Sequence, residues 1–340
     1  MIRRFLARLG IDPYLVLLVA TVGLAAILPA RGVGAEVTND AVSIAVALLF
    51  FLYGARLSPR AVWDGLLHWR LQSLVFGSTY VLFPLLGLGL TKAFGSWLPH
   101  DLILGLMFVC VLPSTVQSSI AFTSIARGNV PAALCSASVS NLFGMVVTPL
   151  LVMLLLDSKG VGFSTKALES IAVQLLLPFL AGQLLRPLIG AFLQRHKTVT
   201  SLVDRGSILL VVYDAFSEGM VAGIWSKVTA NDLILIVVLD VVLLGMVLAI
   251  TTIVSRRLGF SKEDEIAIVF CGSKKSMASG IPMANILFPG QALGLIVLPL
   301  MLFHQAQLFA CATLAQRYAR RPREKAPEPI AEPALASARA

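Results

Sequence analysis

The sequence predicts an all-α membrane protein of ten transmembrane helices, built as two inverted five-helix repeats whose fourth and ninth helices are broken and cross. Three observations predict it. Of 340 residues, 57% are hydrophobic and 13% charged, where a soluble domain carries roughly 25% charged residues. Apolar stretches of about 20 residues, each long enough to cross a bilayer, recur from one end to the other. Finally, a polar, helix-breaking segment occurs at the same place in each half, the sequence pattern of a transporter site built at a repeat interface.

The apolar stretches fall at about 12–30, 39–57, 70–92, 102–126, 130–155, 167–190, 202–223, 232–255, 263–288 and 290–316. With the N-terminus inside, 20 of the 27 Lys and Arg lie on the cytoplasmic side, among them Arg3, Arg4, Arg8, Arg56, Arg127, Arg205, Arg256 and those of the tail. Arg31, Lys92, Lys159, Lys166 and Lys227 lie outside. This asymmetry follows the positive-inside rule and accounts for the net charge of +9 without a nucleic-acid partner; the partner it requires is the lipid bilayer. Two basic ends on one side call for an even number of spans. The chain therefore divides into a cytoplasmic N-terminus at 1–11, a first repeat at 12–155, a second at 167–316 and a Pro-, Ala- and charge-rich cytoplasmic tail at 317–340, expected to be disordered. The apolar run from Tyr14 to Pro29 is long for a signal peptide and is expected to stay as the first helix. Cys110, Cys135, Cys271 and Cys311 fall inside apolar segments with no metal-ligand spacing and read as small buried hydrophobes.

The fourth span contains "VLPSTVQSSIAF". Pro113 removes a backbone donor and clashes with the turn before it, and Ser114, Thr115, Gln117, Ser118 and Ser119 follow at once. In lipid, each freed backbone group needs a partner. The cluster is larger than a simple kink needs, so it reads as a break whose backbone groups face a ligand; local hydroxyl repair is the alternative. The ninth span contains "FCGSKKSMASGIP", where Gly272, Gly280 and Pro282 weaken the helix around Ser273, Lys274, Lys275 and Ser276. Lys274 lies roughly 17 Å along that span, near the middle of the hydrocarbon, where each lysine costs on the order of 2.5–3.5 kcal/mol. Because each half holds an odd number of spans, the halves enter the membrane in opposite directions. Asp214 and Glu218, an i,i+4 pair in the seventh span, and Asp240 in the eighth are in-membrane carboxylates, candidates for a proton relay or for pairing with the lysines. His304, Gln305 and Gln307 add polar atoms to the tenth span and suit helix–helix hydrogen bonding or ligand contact.

The segments "FCGSKKSMASGIPMANILF", "ARGN" and "LVVYDAFSEG" resemble the SBF-like branch of the bile acid:sodium symporter superfamily, bacterial relatives of the seventh member of solute carrier family 10. The resemblance covers nearly the whole chain. It implies ten helices in a panel and a core domain, two crossing broken helices, and a place in the bacterial inner membrane. The sodium ligands it implies carry over poorly. The Ser-Asn pair of the sodium-coupled members falls at Ser118 and Ser119, two hydroxyl ligands at Ala133 and Ala137, the bridging Glu near Gly272 and the Gln beyond it near Ser276.

The expected function is secondary active transport of a small organic anion by alternating access, coupled to sodium or a proton. One lysine would replace a sodium ion, its ammonium held by the hydroxyls of Ser118, Ser119, Ser136 and Ser140 and by Asn141, the last three sharing a face of the fifth span. The other would meet the anion, and a buried lysine can also carry a coupling proton. The alternative is a membrane regulator or sensor that keeps the fold and transports nothing. No HExxH, GxGD-type aspartate pair, Ser–His arrangement or GxxxxGK[ST] loop occurs, so neither an intramembrane enzyme nor ATP drive is expected. No cofactor and no certain metal ligand are expected, and substrate and oligomeric state are left open.

Overall fold

The computed structural model describes residues 13–56, 68–156, 176–223, 228–289 and 291–321, together with 173 and 226. The expected cytoplasmic segment at 1–11 and the tail beyond 321 lie outside them. Every regular element among the described residues is helical. In chain order these are α1 (Pro13–Ile27), α2 (Val33–Arg56), and α3 (Trp69–Gly77), which runs through a π-helical turn (Ser78–Leu82) into α4 (Phe83–Phe94). They are followed by α5 (His100–Val111), α6 (Val116–Ile125), α7 (Val130–Leu155), α8 (Leu177–Arg195), α9 (Lys197–Val221), α10 (Ala230–Arg257), α11 (Lys262–Gly272), α12 (Met277–Leu287) and α13 (Leu293–Ala319).

Five continuous spans among the described residues are long and apolar enough to cross a membrane: α2, the run Trp69–Trp97, α7, α10 and α13. The pair α5 and α6, bent by 60°, forms a sixth. Their outer faces keep large apolar side chains exposed, such as Ile44, Leu150, Ile234 and Val238, as lipid contact requires. The chain is an integral membrane protein.

Helix ends follow local chemistry. Asn129 caps α7 by accepting from the Ala132 N–H, Thr229 and Asp232 form a capping box at α10, and Ser261 caps α11 above Glu263, Asp264 and Glu265 in its first turn. α13 continues to Ala319, past the end that hydropathy sets at 316. There the Tyr318 hydroxyl donates to Glu265 (2.8 Å) and Arg321 pairs with Glu263 (2.6 Å).

The helices sort into two packed groups. α1, α2, α8 and α9 pack on one another, and α9 is the member of that group lying broadly against the rest, on α12 and α13. α2 and α8 approach through reciprocal glycines. A Cβ on Gly54 would lie 2.0 Å from the Phe179 carbonyl oxygen, and one on Gly182 would lie 1.9 Å from that of Phe51. The two F-L-x-G segments, Phe51 to Gly54 and Phe179 to Gly182, thus pack backbone to backbone, as small residues allow in membranes.

Candidate functional site

Two breaks meet in the middle of the second group. The first is Leu112 to Thr115, between α5 and α6; the second is Ser273 to Ser276, between α11 and α12. They touch directly: the Ser276 N–H donates to the Pro113 carbonyl (2.8 Å). Gly280 and Pro282, expected to weaken the helix around the lysines, lie instead inside α12. Pro282 cannot donate to the Ala278 carbonyl four residues earlier, and the Tyr53 hydroxyl approaches that oxygen from α2 at 3.5 Å. Gly144 leaves room for the first break, since a Cβ there would sit 2.6 Å from Pro113.

A helix end leaves its last carbonyls without partners, and side chains meet them at both C-terminal ends at the crossing. At α5, the Lys275 Nζ donates to the Cys110 and Leu112 carbonyls and, from its third hydrogen, to Thr79 in the π-helical turn, each at 2.8 Å. The Thr148 hydroxyl takes the Val111 carbonyl (2.8 Å). At α11, the hydroxyls of Ser273, Ser119, Ser114 and Ser78 take the carbonyls of Val269, Phe270, Cys271 and Gly272, at 2.6, 3.1, 2.6 and 2.8 Å. Gln307 bridges the second break itself: its Oε1 accepts from the Lys275 N–H (2.9 Å) and its Nε2 donates to the Lys275 carbonyl (3.0 Å). Much of the polar cluster therefore repairs backbone.

The two lysines differ sharply. Both are fully buried. Lys275 has an acceptor for each hydrogen and the face of Phe83 at 4.1 Å; those acceptors are backbone carbonyls, not the hydroxyl set of Ser118, Ser119, Ser136, Ser140 and Asn141. The Cys110 and Leu112 carbonyls lie at the C-terminal end of α5, where the helix dipole is negative. Lys274 Nζ has no hydrogen-bond partner among the described residues and lies over Phe122 at 4.1 Å and Phe270 at 5.4 Å. Among the described residues, neither lysine is ion-paired with Asp214, Glu218 or Asp240. Asp214 is half-buried and Glu218 exposed, near the end of α9. Asp240 is buried in α10, its carboxylate oxygens without a partner among the described residues.

The remaining expected site residues divide between knot and cavity. The Ser140 hydroxyl accepts from the Ser114 N–H (3.1 Å), while its carbonyl accepts from the Tyr80 hydroxyl (2.6 Å). Ser136 is buried, its hydroxyl without a partner among the described residues. A cavity of about 430 Å³ opens where the first group meets the second. Tyr53, Arg56, Phe179, Ser201, Asp204 and Arg205 line it from one side. From the other come Thr115, Gln117 and Ser118 at the start of α6, Ser138 and Asn141 on α7, Ser276 to Ala278 at the start of α12, and His304 on α13. The N-terminal ends of both second half-helices thus border the cavity, and their amides favour anions. Asn141 accepts from the Ser279 hydroxyl (2.8 Å), and Thr115 and Ser118 share a hydrogen bond (2.9 Å). Neither Lys274 nor Lys275 is a lining residue. Sequence reasoning missed the bidentate Arg56–Asp204 pair (2.6 and 2.8 Å), because Arg56 reads as a loop charge. It also missed Ser78 and Thr79, whose roles come from a turn with no sequence signal, and Thr148, whose hydroxyl meets a carbonyl of another helix.

Comparison with known proteins gives a consistent picture. The profile of the SBF-like CPA transporter family matches residues 12–320. A protein of Pseudomonas aeruginosa, named as uncharacterised, is 56% identical over 322 residues, 94% of this chain and 96% of that one. The candidate symporter YfeH of Escherichia coli (strain K12) is 51% identical over 314 residues, 91% and 93% of the two chains. Sodium/bile acid cotransporter 7 of Mus musculus is 30% identical over 321 residues, 92% and 93% of the two.

Proposed function

Because the chain belongs to the SBF-like CPA transporter family, we propose that it is a secondary active transporter that moves a small organic anion by alternating access. The observation that carries this reading is the cavity. It lies between two separately packed helix groups, and the N-terminal ends of α6 and α12 border it. In the same reading the chain forms ten spans as two inverted five-helix repeats, the groups are a panel and a core, and both termini are cytoplasmic in a bacterial inner membrane.

Lys275 acts as a tethered cation. A sodium ion needs several oxygen ligands. Three backbone oxygens at the crossing are already held by this ammonium, and Ala133, Ala137 and Gly272 offer no side-chain oxygen. Sodium does not fit there. Coupling therefore falls to a proton, unlike what the name of the murine relative says of that protein. The regulator reading keeps one support, the same loss of cation ligands.

The test is uptake by the purified full chain in liposomes, using radiolabelled cholate and a panel of smaller carboxylates. Accumulation several-fold above protein-free liposomes, driven by a proton gradient in sodium-free buffer, is expected. If no member accumulates under either gradient while the chain stays folded, transport gives way to the regulator.

A further inference from the structure

We propose that the outer groove between α10 and α13 binds one anionic phospholipid, its acyl chain lying in the groove and its head group held by Arg317 and Arg257. Such a site needs only that the chain spans a bilayer; it is independent of the transport reading.

α10 and α13 pack on each other, and their outer edges leave a groove of about 680 Å³. It lies on a different face of α13 from the cavity, which takes His304 and Leu308 where the groove takes Phe309 and Thr313. On α10, Gly245, Ala249 and Ile253 line it at four-residue spacing; on α13, Phe309, Thr313 and Arg317 do the same. Residues four apart share a helix face, so each row is a continuous wall. Both rows lie in the C-terminal halves of their helices. Those C-terminal ends lie together, since Arg256 and the Tyr318 hydroxyl both donate to the Glu265 carboxylate. The two rows therefore run side by side to the same end.

The walls are apolar and the end is charged. Ile253 and Phe309 are half exposed. The hydroxyls in the walls are spent within their own helices, Thr252 donating to the Leu248 carbonyl (2.7 Å) and Thr313 to that of Phe309 (3.0 Å). At the end, Arg317 lines the groove, and Arg257 continues the row of Gly245, Ala249 and Ile253 by one more four-residue step. Both arginines are exposed, and neither is ion-paired among the described residues. Arg256, by contrast, is taken by Glu265. Hydrocarbon-like walls leading to two uncompensated guanidinium groups are complementary to an amphiphile with an anionic phosphate head. Gly245 to Arg257 spans about 18 Å, enough to carry an acyl chain from the head-group level to the middle of a core about 30 Å thick. A second copy of this chain suits the groove less well. A two-fold pair with its axis along the membrane normal would bring Arg257 and Arg317 of both copies to one edge, setting like charges against each other.

Native mass spectrometry of the full chain in detergent tests this, with phosphatidylglycerol and phosphatidylcholine of the same acyl chains as probes. Phosphatidylglycerol should be retained about fivefold or more over phosphatidylcholine, and Arg257→Gln combined with Arg317→Gln should bring the two level. Arg195→Gln, at the exposed end of α8, should leave the preference unchanged. Gly245 has nothing within 4 Å of an added Cβ, so Gly245→Leu enters open space and should lower retention of both lipids by filling the groove. Equal retention of both lipids by the native chain overturns the proposal. The same loss in Arg195→Gln as in the double variant also overturns it, since that result marks a general attraction to surface charge. Native retention by Gly245→Leu places the lipid elsewhere, and a two-chain species that Gly245→Leu disperses gives the groove to a second copy; either result overturns the proposal.

Discussion

At the scale of single residues, two adjacent lysines in the same dry interior have opposite energetic roles. Lys275 satisfies three carbonyls that would otherwise be buried without partners; an orphaned buried polar group costs about 1–3 kcal/mol. Lys275→Met, nearly the same volume, should therefore destabilise the chain by about 3 kcal/mol or more. Lys274 Nζ has no hydrogen-bond partner among the described residues and lies over the Phe122 and Phe270 rings. Exchanging an unpaired buried charge for an apolar group is often neutral or stabilising, so Lys274→Met should leave the unfolding temperature unchanged or raised. Thermal unfolding of both variants in detergent decides, and equal losses would refute the distinction. Depth and cost made the burial of the pair legible in the sequence. Their partners were not legible, for a physical reason: Thr79, Cys110 and Leu112 contribute backbone oxygens, which every residue type carries. Gln307 was visible as a polar atom in an apolar helix, but its two-point hold on Lys275 depends on where α13 passes.

At the scale of elements, the breaks were readable because their cause is local. Pro113 with a run of hydroxyls stops α5, and glycine followed by polar residues stops α11. What read as ligand-facing hydroxyls proved in large part to be backbone repair, since Ser114 and Ser119 reach across to the other broken helix; pattern reveals a polar residue but not which helix it serves. The π-helical turn at Ser78 to Leu82 and the run of α13 to Ala319 escaped for a related reason. Hydropathy marks where lipid ends, not where backbone hydrogen bonding does. The glycine contact of α2 with α8 is likewise long-range and yields a sharp expectation. Gly182→Ala would place its Cβ 1.9 Å from the Phe51 oxygen, forcing the helices apart at a cost of about 1–3 kcal/mol. Gly206 on α9 has nothing within 4 Å of an added Cβ, and Gly206→Ala should stabilise by about 0.5–1 kcal/mol. Chemical or thermal unfolding separates the two, and a Gly182→Ala chain as stable as the native one would show that the close approach carries no weight.

At the scale of the whole molecule, the cavity and the proposed topology jointly predict which side of the membrane is open. With both termini cytoplasmic, α2 runs inward, and its lining residues Tyr53 and Arg56 lie at its inner end. α7 and α9 run outward from the cytoplasm, and their lining residues Leu134 and Ser138, and Ser201 to Arg205, lie in their early turns. Leu308 lies in the later half of α13, which runs inward. Four helices of both directions thus place the cavity in the cytoplasmic half, although nothing in the charge rule concerns cavities. On the proposed topology the cavity is therefore expected to open inward, and substituted-cysteine labelling tests both the arrangement and the topology. Ser138→Cys serves as the reporter, with the part-buried Cys135 changed to Ala and the buried Cys110, Cys271 and Cys311 left in place. An impermeant thiol reagent should label it at least tenfold faster in inside-out membrane vesicles than in right-side-out ones. Adding cholate or another transported carboxylate should slow that labelling by filling the same space. Faster labelling from the outer face would reverse the topology, and equal labelling from both faces would mean that α9 does not seal the outer side against α12 and α13.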